Sequence, residues 1–325
     1  MTALGIAVLA TSYFTLPEQD PPKPDLRFDW PAIGLALASA VLPFIASGQL
    51  TGHSFGSYWF MVPLAIGLAC LVTMLLVEYH QKEPLSPVKM MWHTLPLVGT
   101  LTAMIGGGAF ITLLMLAERY EIDVLGRGAL ATGFSLWPQV IGVVVTAVLL
   151  GLLIRTRYLP VLALCGMLLL VGAGLILLQF GGGGSRALLL SAAGLLGLGA
   201  GATVSPGLWI AGMALPSKMV GRTFALVELV RSEADFLLGP VLLEVAQMWS
   251  GGGKKLTGAG FHHAVWVTLL VTAATTAFMV VLYLIGGVKL EVPNLEAWLK
   301  ENKPAFGSPP LAATLRNAGG EKKAA

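Results

Sequence analysis

The sequence predicts an all-α, polytopic integral membrane helical bundle, and three observations carry that prediction. Of 325 residues, 56% are hydrophobic and only 11% are charged, against roughly 25% charged in a typical soluble protein. The mean hydropathy is +0.80. The apolar residues also come in long runs, near the roughly 20 residues a helix needs to cross a bilayer core of about 30 Å. Twenty basic and 17 acidic residues cannot clothe a soluble chain of this length. A soluble enzyme, a DNA-binding protein and a disordered chain are therefore excluded.

Eight runs read as spans: residues 30–48, 58–77, 94–117, 129–154, 159–179, 187–215, 223–248 and 264–287. Each is long enough for a membrane helix, and the run at 187–215 is rich in glycine. Residues 3–16 are apolar but short. With neither a basic leader nor a small-residue cleavage site, they read as the back end of a truncated transmembrane helix, which would make nine. Residues 17–29 (PEQDPPKPDLRFD) form a charged, proline-rich linker. Residues 180–186 (FGGGGSR) form a glycine linker. The tail at 288–325 predicts one short surface helix over 294–302, stopped by Pro304; its later Gly, Pro, Ala and Lys suggest partial disorder.

Lys and Arg set orientation. If the 17–29 linker is cytoplasmic, the cytoplasmic side with the tail holds fourteen of the twenty basic residues and the outer loops five; Arg231 lies inside a span. The net charge of +3 is thus read as membrane orientation rather than nucleic-acid binding. Cys70 and Cys165 both sit inside apolar runs, which predicts small buried hydrophobes rather than a disulfide or metal pair.

Several segments resemble one family. RFDWPAIGLALASAVLPFIASG, with the pair Asp29 and Trp30, is similar to the seventh helix of the fourteen-helix drug:proton antiporters of the major facilitator superfamily. VEYHQKEPLSP resembles the end of their eighth helix and the loop after it. GLGAGATVSPGLWIAGMALPSKMVGRTFALVELVRSEADFLLGPVL resembles their twelfth and thirteenth helices, with Gly197, Gly201, Pro206, Gly221, Arg231 and Gly239 where the family has small residues, a proline and an arginine. The resemblance implies the carboxyl-terminal nine helices of such a transporter, the first five being absent. It divides the chain into a truncated helix (1–16), a cytoplasmic linker (17–29), two extra helices (30–77), a six-helix bundle (94–287) and a tail (288–325). GLLIRTRYLPVL resembles a degenerate cytoplasmic loop motif, with Arg155 where the family often has an acidic residue. The implied activity is proton-coupled export of drug-like or lipophilic small molecules, in a bacterial inner membrane. The implied partners are the lipid bilayer, substrate, protons and an amino-terminal half-bundle. The alternative is a truncated or split half-bundle with no transport activity of its own.

No phosphate loop, metal-spaced cluster or nucleophile elbow appears, so no enzyme chemistry, metal or cofactor is expected. Adjacent His262 and His263 read as an interfacial pair rather than a metal site. The anomaly is the run 223–248, which carries Glu228, Arg231, Glu233, Asp235 and Glu244. Ionisable groups within a span are costly and normally face a bundle interior or a water-filled cavity. At 100° per residue Glu228, Arg231, Asp235 and Gly239 share one face, while Glu233 and Glu244 share another. The first face reads either as a substrate or proton pathway or as an internal ion pair or a contact to the other half-bundle, and Glu233 is counted among the pathway candidates as a further acid within the span. SLWPQ is a second candidate: Pro138 kinks its helix, and Trp137 and Gln139 offer a stacking surface and a polar group. Thr100, with Thr102 and Met104, precedes the triplet Gly106–Gly108 and reads as a further cavity-wall candidate. Gly197, Gly201, Pro206 and Gly239 read as close helix packing.

Overall fold

The computed structural model describes residues 10–11, 14–15, 29–81, 84–180, 184–251 and 255–311. Of the run 3–16, predicted as a truncated helix, only residues 10–11 and 14–15 are among them, and these are helical. Nearly all of the 17–29 linker, the glycines at 181–183 and the tail from 312 fall outside them. The chain divides into two compact units, Met1–Pro31 and Ala32–Ala325.

Among the described residues the regular structure is helical, with a single isolated bridge between His93 and Pro310. Every predicted run forms helix. In chain order these are α1 (Trp30–Gln49), α2 (Tyr58–His80), the short α3 (Val88–Met91), α4 (Thr94–Asp123), α5 (Ala129–Ser135), α6 (Pro138–Leu153), α7 (Leu159–Phe180), α8 (Arg186–Met213), α9 (Val220–Trp249), α10 (Gly258–Ile285) and α11 (Leu295–Glu301). Among the described residues seven spans are long and apolar enough to cross a membrane, α5 and α6 together making one. The chain is a multi-pass membrane protein. Helix α9 is not among the seven, although it is 30 residues long. It carries Arg222, Glu228, Arg231, Glu233, Asp235 and Glu244.

The run 129–154 is not a kinked helix but a broken one. Leu136 leaves helical geometry at ψ 4° and Pro138 starts α6. A proline has no N–H to lose at that position, so the break falls where it costs least. Helix α10 begins earlier than the apolar run. The Thr257 hydroxyl accepts from Gly260 N at 3.3 Å and caps a helix whose second turn holds His262 and His263.

Helix α8 is the centre of the bundle, packed against α4, α6 and α7, while α4 also packs against α9 and α10. In lipid, helices associate through close van der Waals contact, and small residues permit it. Gly99 of α4 and Gly207 of α8 make the point together. A methyl built on Gly99 would lie 2.5 Å from Gly207 O, and one on Gly207 would lie 2.6 Å from Gly99 O. Below this contact an aromatic cluster of Tyr120, Phe180 and Phe261 ties α4, α7 and α10, with ring centroids 4.5–6.5 Å apart. Helix α6 buries only Gly142 and Thr146 and exposes Val140, Ile141, Val144, Val148 and Leu152, as a lipid-facing helix would.

The hairpin α1–α2 packs on the side of α9 that faces away from α4. Leu35, Ala36 and Met74 cluster with Leu226, Leu229 and Val230, and Phe44 meets Phe236 edge-on at 5.0 Å.

Both bundle ends are tied. At one end Glu121 is fully buried, pairs with Arg127 and accepts from Ser135 Oγ at 2.7 Å, which fixes the α4–α5 turn. At the other, residues 288–311 form a strap rather than a free tail. The predicted surface helix is α11, capped by Asn294 and ended by Asn302 at φ 54°. Its Trp298 is buried and donates to Leu215 O at 2.8 Å. Asn302 Oδ1 accepts from Lys218 N at 2.9 Å. Ala305 N then donates to Met213 O at 2.8 Å, and Leu95 N to Ser308 Oγ at 2.9 Å. Pro304 did not end order; it turned the chain back onto the bundle, where buried Ala305 and Phe306 face α8.

Candidate functional site

The charged face of α9 is the site the sequence pointed to. Its spacing of three and four residues stacks Glu228, Arg231 and Asp235 on one side of the helix. Arg231 bridges both carboxylates. Its Nε and Nη2 donate to Glu228 Oε2 at 2.8 and 2.6 Å, and its Nη1 donates to Asp235. The side chains are 39% (Glu228), 23% (Arg231) and 13% exposed (Asp235). The triad thus grades from an open to an enclosed end.

What encloses it is the glycine triplet of α4. A methyl on Gly107 would sit 2.8 Å from Asp235 Oδ1 and 3.4 Å from Arg231 Cγ, and one on Gly108 would sit 2.6 Å from Leu238. One turn on, Gly239 lies against Met115 and Ile111. Sequence reasoning took the triplet as a landmark beside Thr100 and missed its role. The signal was available in principle, because three successive glycines in a span offer a bare stripe to whatever helix lies opposite. Asp235 Oδ1, the oxygen over Gly107, is buried and has no hydrogen-bond partner among the described residues.

Glu233 is not part of this group. It is 5% exposed, both carboxylate oxygens lack a partner among the described residues, and it lies on the side of α9 covered by α1 and α2. Glu244, predicted on Glu233's face, lines a separate cavity near the end of the bundle opposite the strap.

The other candidates scatter. Trp137 is 54% exposed, in the turn between α5 and α6. Gln139 packs its backbone on α8, where a methyl on Gly197 would be 2.0 Å from Gln139 O; its own Oε1 is buried without a partner among the described residues. Thr100 donates to Pro96 O at 2.8 Å within its own helix. Thr102, next on that run, does line a cavity, an apolar one of about 300 Å³ with Met279 and Tyr283. Gly197 and Gly201 meet a neighbouring helix at distances no side chain would allow, Gly239 lies against the flexible Met115 side chain, and Pro206 is buried within α8. Cys70 and Cys165 are unpaired, and Cys165 is exposed rather than buried. Among the described residues no group of three His, Cys, Asp or Glu could hold a metal ion; His263 stacks near Trp249 at 5.4 Å.

Chemically, then, α9 presents one fixed cation between two carboxylates, facing a bare stripe of a neighbouring membrane helix. The sequence matches no protein-family model and no curated protein.

Proposed function

We propose that this multi-pass protein is a secondary transporter of the major facilitator type, exporting drug-like or lipophilic small molecules driven by protons across a bacterial plasma membrane. The observation that carries the reading is the Glu228–Arg231–Asp235 triad. Arg231 is eleven residues into α9, about 16 Å along the helix at about 1.5 Å per residue. With α9 spanning the bilayer, as its run of residues 223–248 predicts, that is membrane depth, where ionisable groups mark ion or substrate pathways. The glycine-rich contacts of α4 and α8, and the resemblance of the α8–α9 stretch to that family's twelfth and thirteenth helices, support the same reading.

Alternating access rocks two bundles about a central site. The described residues build one compact bundle, so a second bundle, on the same polypeptide or another, completes the proposed pathway. The linker and the loops at 80–90 and 155–158 are then cytoplasmic, with the loops at 50–56 and 250–260 outside.

The test is flux of a fluorescent lipophilic cation in proteoliposomes holding this chain and the second bundle, with and without a proton gradient. Gradient-dependent flux that disappears in Arg231→Ala is expected. Normal flux in Arg231→Ala at several pH values would overturn the proposal. A second reading, an ion latch between bundles, is favoured by the exposed Glu228 end. The double variant Arg231→Ala, Asp235→Asn separates the two: a latch regains part of its flux with its stability, whereas a coupling site regains stability alone.

A further inference from the structure

A cavity of about 620 Å³ lies between the α1–α2 turn, α4 and α9, at the end of the bundle opposite the strap. Its walls include Arg119 and Met115 of α4, Leu243, Glu244 and Gln247 of α9, and His53 of the turn. Arg119 is exposed and Glu244 half-buried. Although they line the same space, they do not pair with each other, and neither makes an ion pair or side-chain hydrogen bond among the described residues. One guanidinium and one carboxylate therefore face a common cavity with their hydrogen-bonding capacity unspent.

Their depth narrows the ligand. Asp235 sits at the middle of α9, level with Gly107 of α4. Arg119 is twelve residues beyond Gly107 and Glu244 nine beyond Asp235, or about 18 and 14 Å at about 1.5 Å per residue. The hydrocarbon core ends about 15 Å from its midplane. With the middles of α4 and α9 taken as the bilayer midplane, both charges fall at the boundary where phospholipid headgroups sit, and Met115 and Leu243 face the same space from the apolar side.

We propose that this cavity holds the headgroup of an ethanolamine phospholipid, its phosphate on Arg119 and its ammonium on Glu244. A guanidinium grips two phosphate oxygens at once. A primary ammonium offers three N–H donors to a carboxylate. A choline headgroup has the same charges but no N–H to give Glu244, and a glycerol headgroup leaves that carboxylate facing net negative charge. The paired charges of the site and of the ligand cancel, so a zwitterion fits without a counterion.

The experiment is native mass spectrometry of the full chain released from nanodiscs containing equal amounts of ethanolamine, choline and glycerol phospholipids. It needs neither substrate nor gradient, so its outcome is independent of the transport reading. The unaltered chain should retain the ethanolamine lipid about tenfold over the choline lipid, the worth of one charge-assisted hydrogen bond. Glu244→Gln should bring that ratio close to parity, and Arg119→Gln should strip both lipids. Neither side chain bonds to another among the described residues, so both variants should keep the helicity of the parent, read by circular dichroism. Parity in the unaltered chain, or an unchanged ratio in Glu244→Gln, would overturn the proposal. So would soluble glycerophosphoethanolamine displacing the lipid at equimolar concentration, since the bilayer would then contribute nothing to the site.

Discussion

Replacing Arg231 by Ala removes the single cation that serves two carboxylates, and the structure divides the cost unequally between them. Glu228 is more than a third exposed, and ion pairs so open to solvent are worth about 0–1 kcal/mol. Asp235 is 13% exposed, and its other oxygen already lacks a partner among the described residues. It would lose its remaining partner and face the wall of α4. Breaking a buried pair by removing one member costs about 3–5 kcal/mol; the residual exposure of Asp235 lowers this to about 2–3 kcal/mol. Arg231→Ala should therefore unfold in mixed micelles at a markedly lower denaturant fraction, followed by circular dichroism against titrated dodecyl sulfate. Adding Asp235→Asn should restore most of the loss, because the stranded charge is then gone. Adding Glu228→Gln should restore little. Arg231→Lys should recover less than half, since an ammonium is a point charge and cannot reach both carboxylates through separate nitrogens. If Arg231→Ala unfolds within about 0.5 kcal/mol of the parent, or if Glu228→Gln rescues as well as Asp235→Asn, the assignment of Asp235 as the enclosed partner is wrong.

Gly99→Ala should destabilise by about 1–3 kcal/mol, because its methyl meets Gly207 O at 2.5 Å and Ala211 N at 2.7 Å, backbone atoms that move only if α4 and α8 part. Gly34→Ala, with open space around it, should be neutral or slightly stabilising in the same dodecyl sulfate titration; equal effects would refute the close-contact argument. Trp298→Ala should free the strap, and amide exchange at 294–311 should accelerate while exchange in α8 holds; unchanged exchange would mean that the Leu215 carbonyl contact does not anchor it. Glu121→Leu should strand Arg127 and Ser135 and render residues 124–128 sensitive to protease, whereas Glu121→Gln should do so less, because it still accepts a hydrogen bond.

The membrane class and the run of helices were legible in the sequence because both are composition read over distance. An apolar stretch of about 20 residues has few stable states other than a membrane helix. The ion triad was legible for a similarly local reason. Residues three and four apart on a helix are neighbours whatever the tertiary fold, so Glu228, Arg231 and Asp235 meet within α9 itself. Glu233 was assigned to the same candidate group because it too is an acid in a span, but helical spacing alone cannot say which neighbour each face meets. Where Trp137 and Gln139 lie was hidden from the sequence for a related reason. Their helix breaks at Pro138 and turns Trp137 outward, a choice between kink and break that tertiary context decides.

What the sequence determined by itself is therefore whatever lies within one element: the apolar runs, the stacked charges of α9, the Asn294 cap of α11 and the bare glycine stripes of α4 and α8. The tertiary structure alone decided which stripe meets which partner. It set Gly107 against Asp235 and Gly99 against Gly207. It covered Glu233's side of α9 with the α1–α2 hairpin. It folded 303–311 back onto the ends of α4 and α8 through hydrogen bonds to Met213 and Leu95. These are contacts between residues far apart in the chain, and they follow from the summed packing of several helices, which no local periodicity encodes.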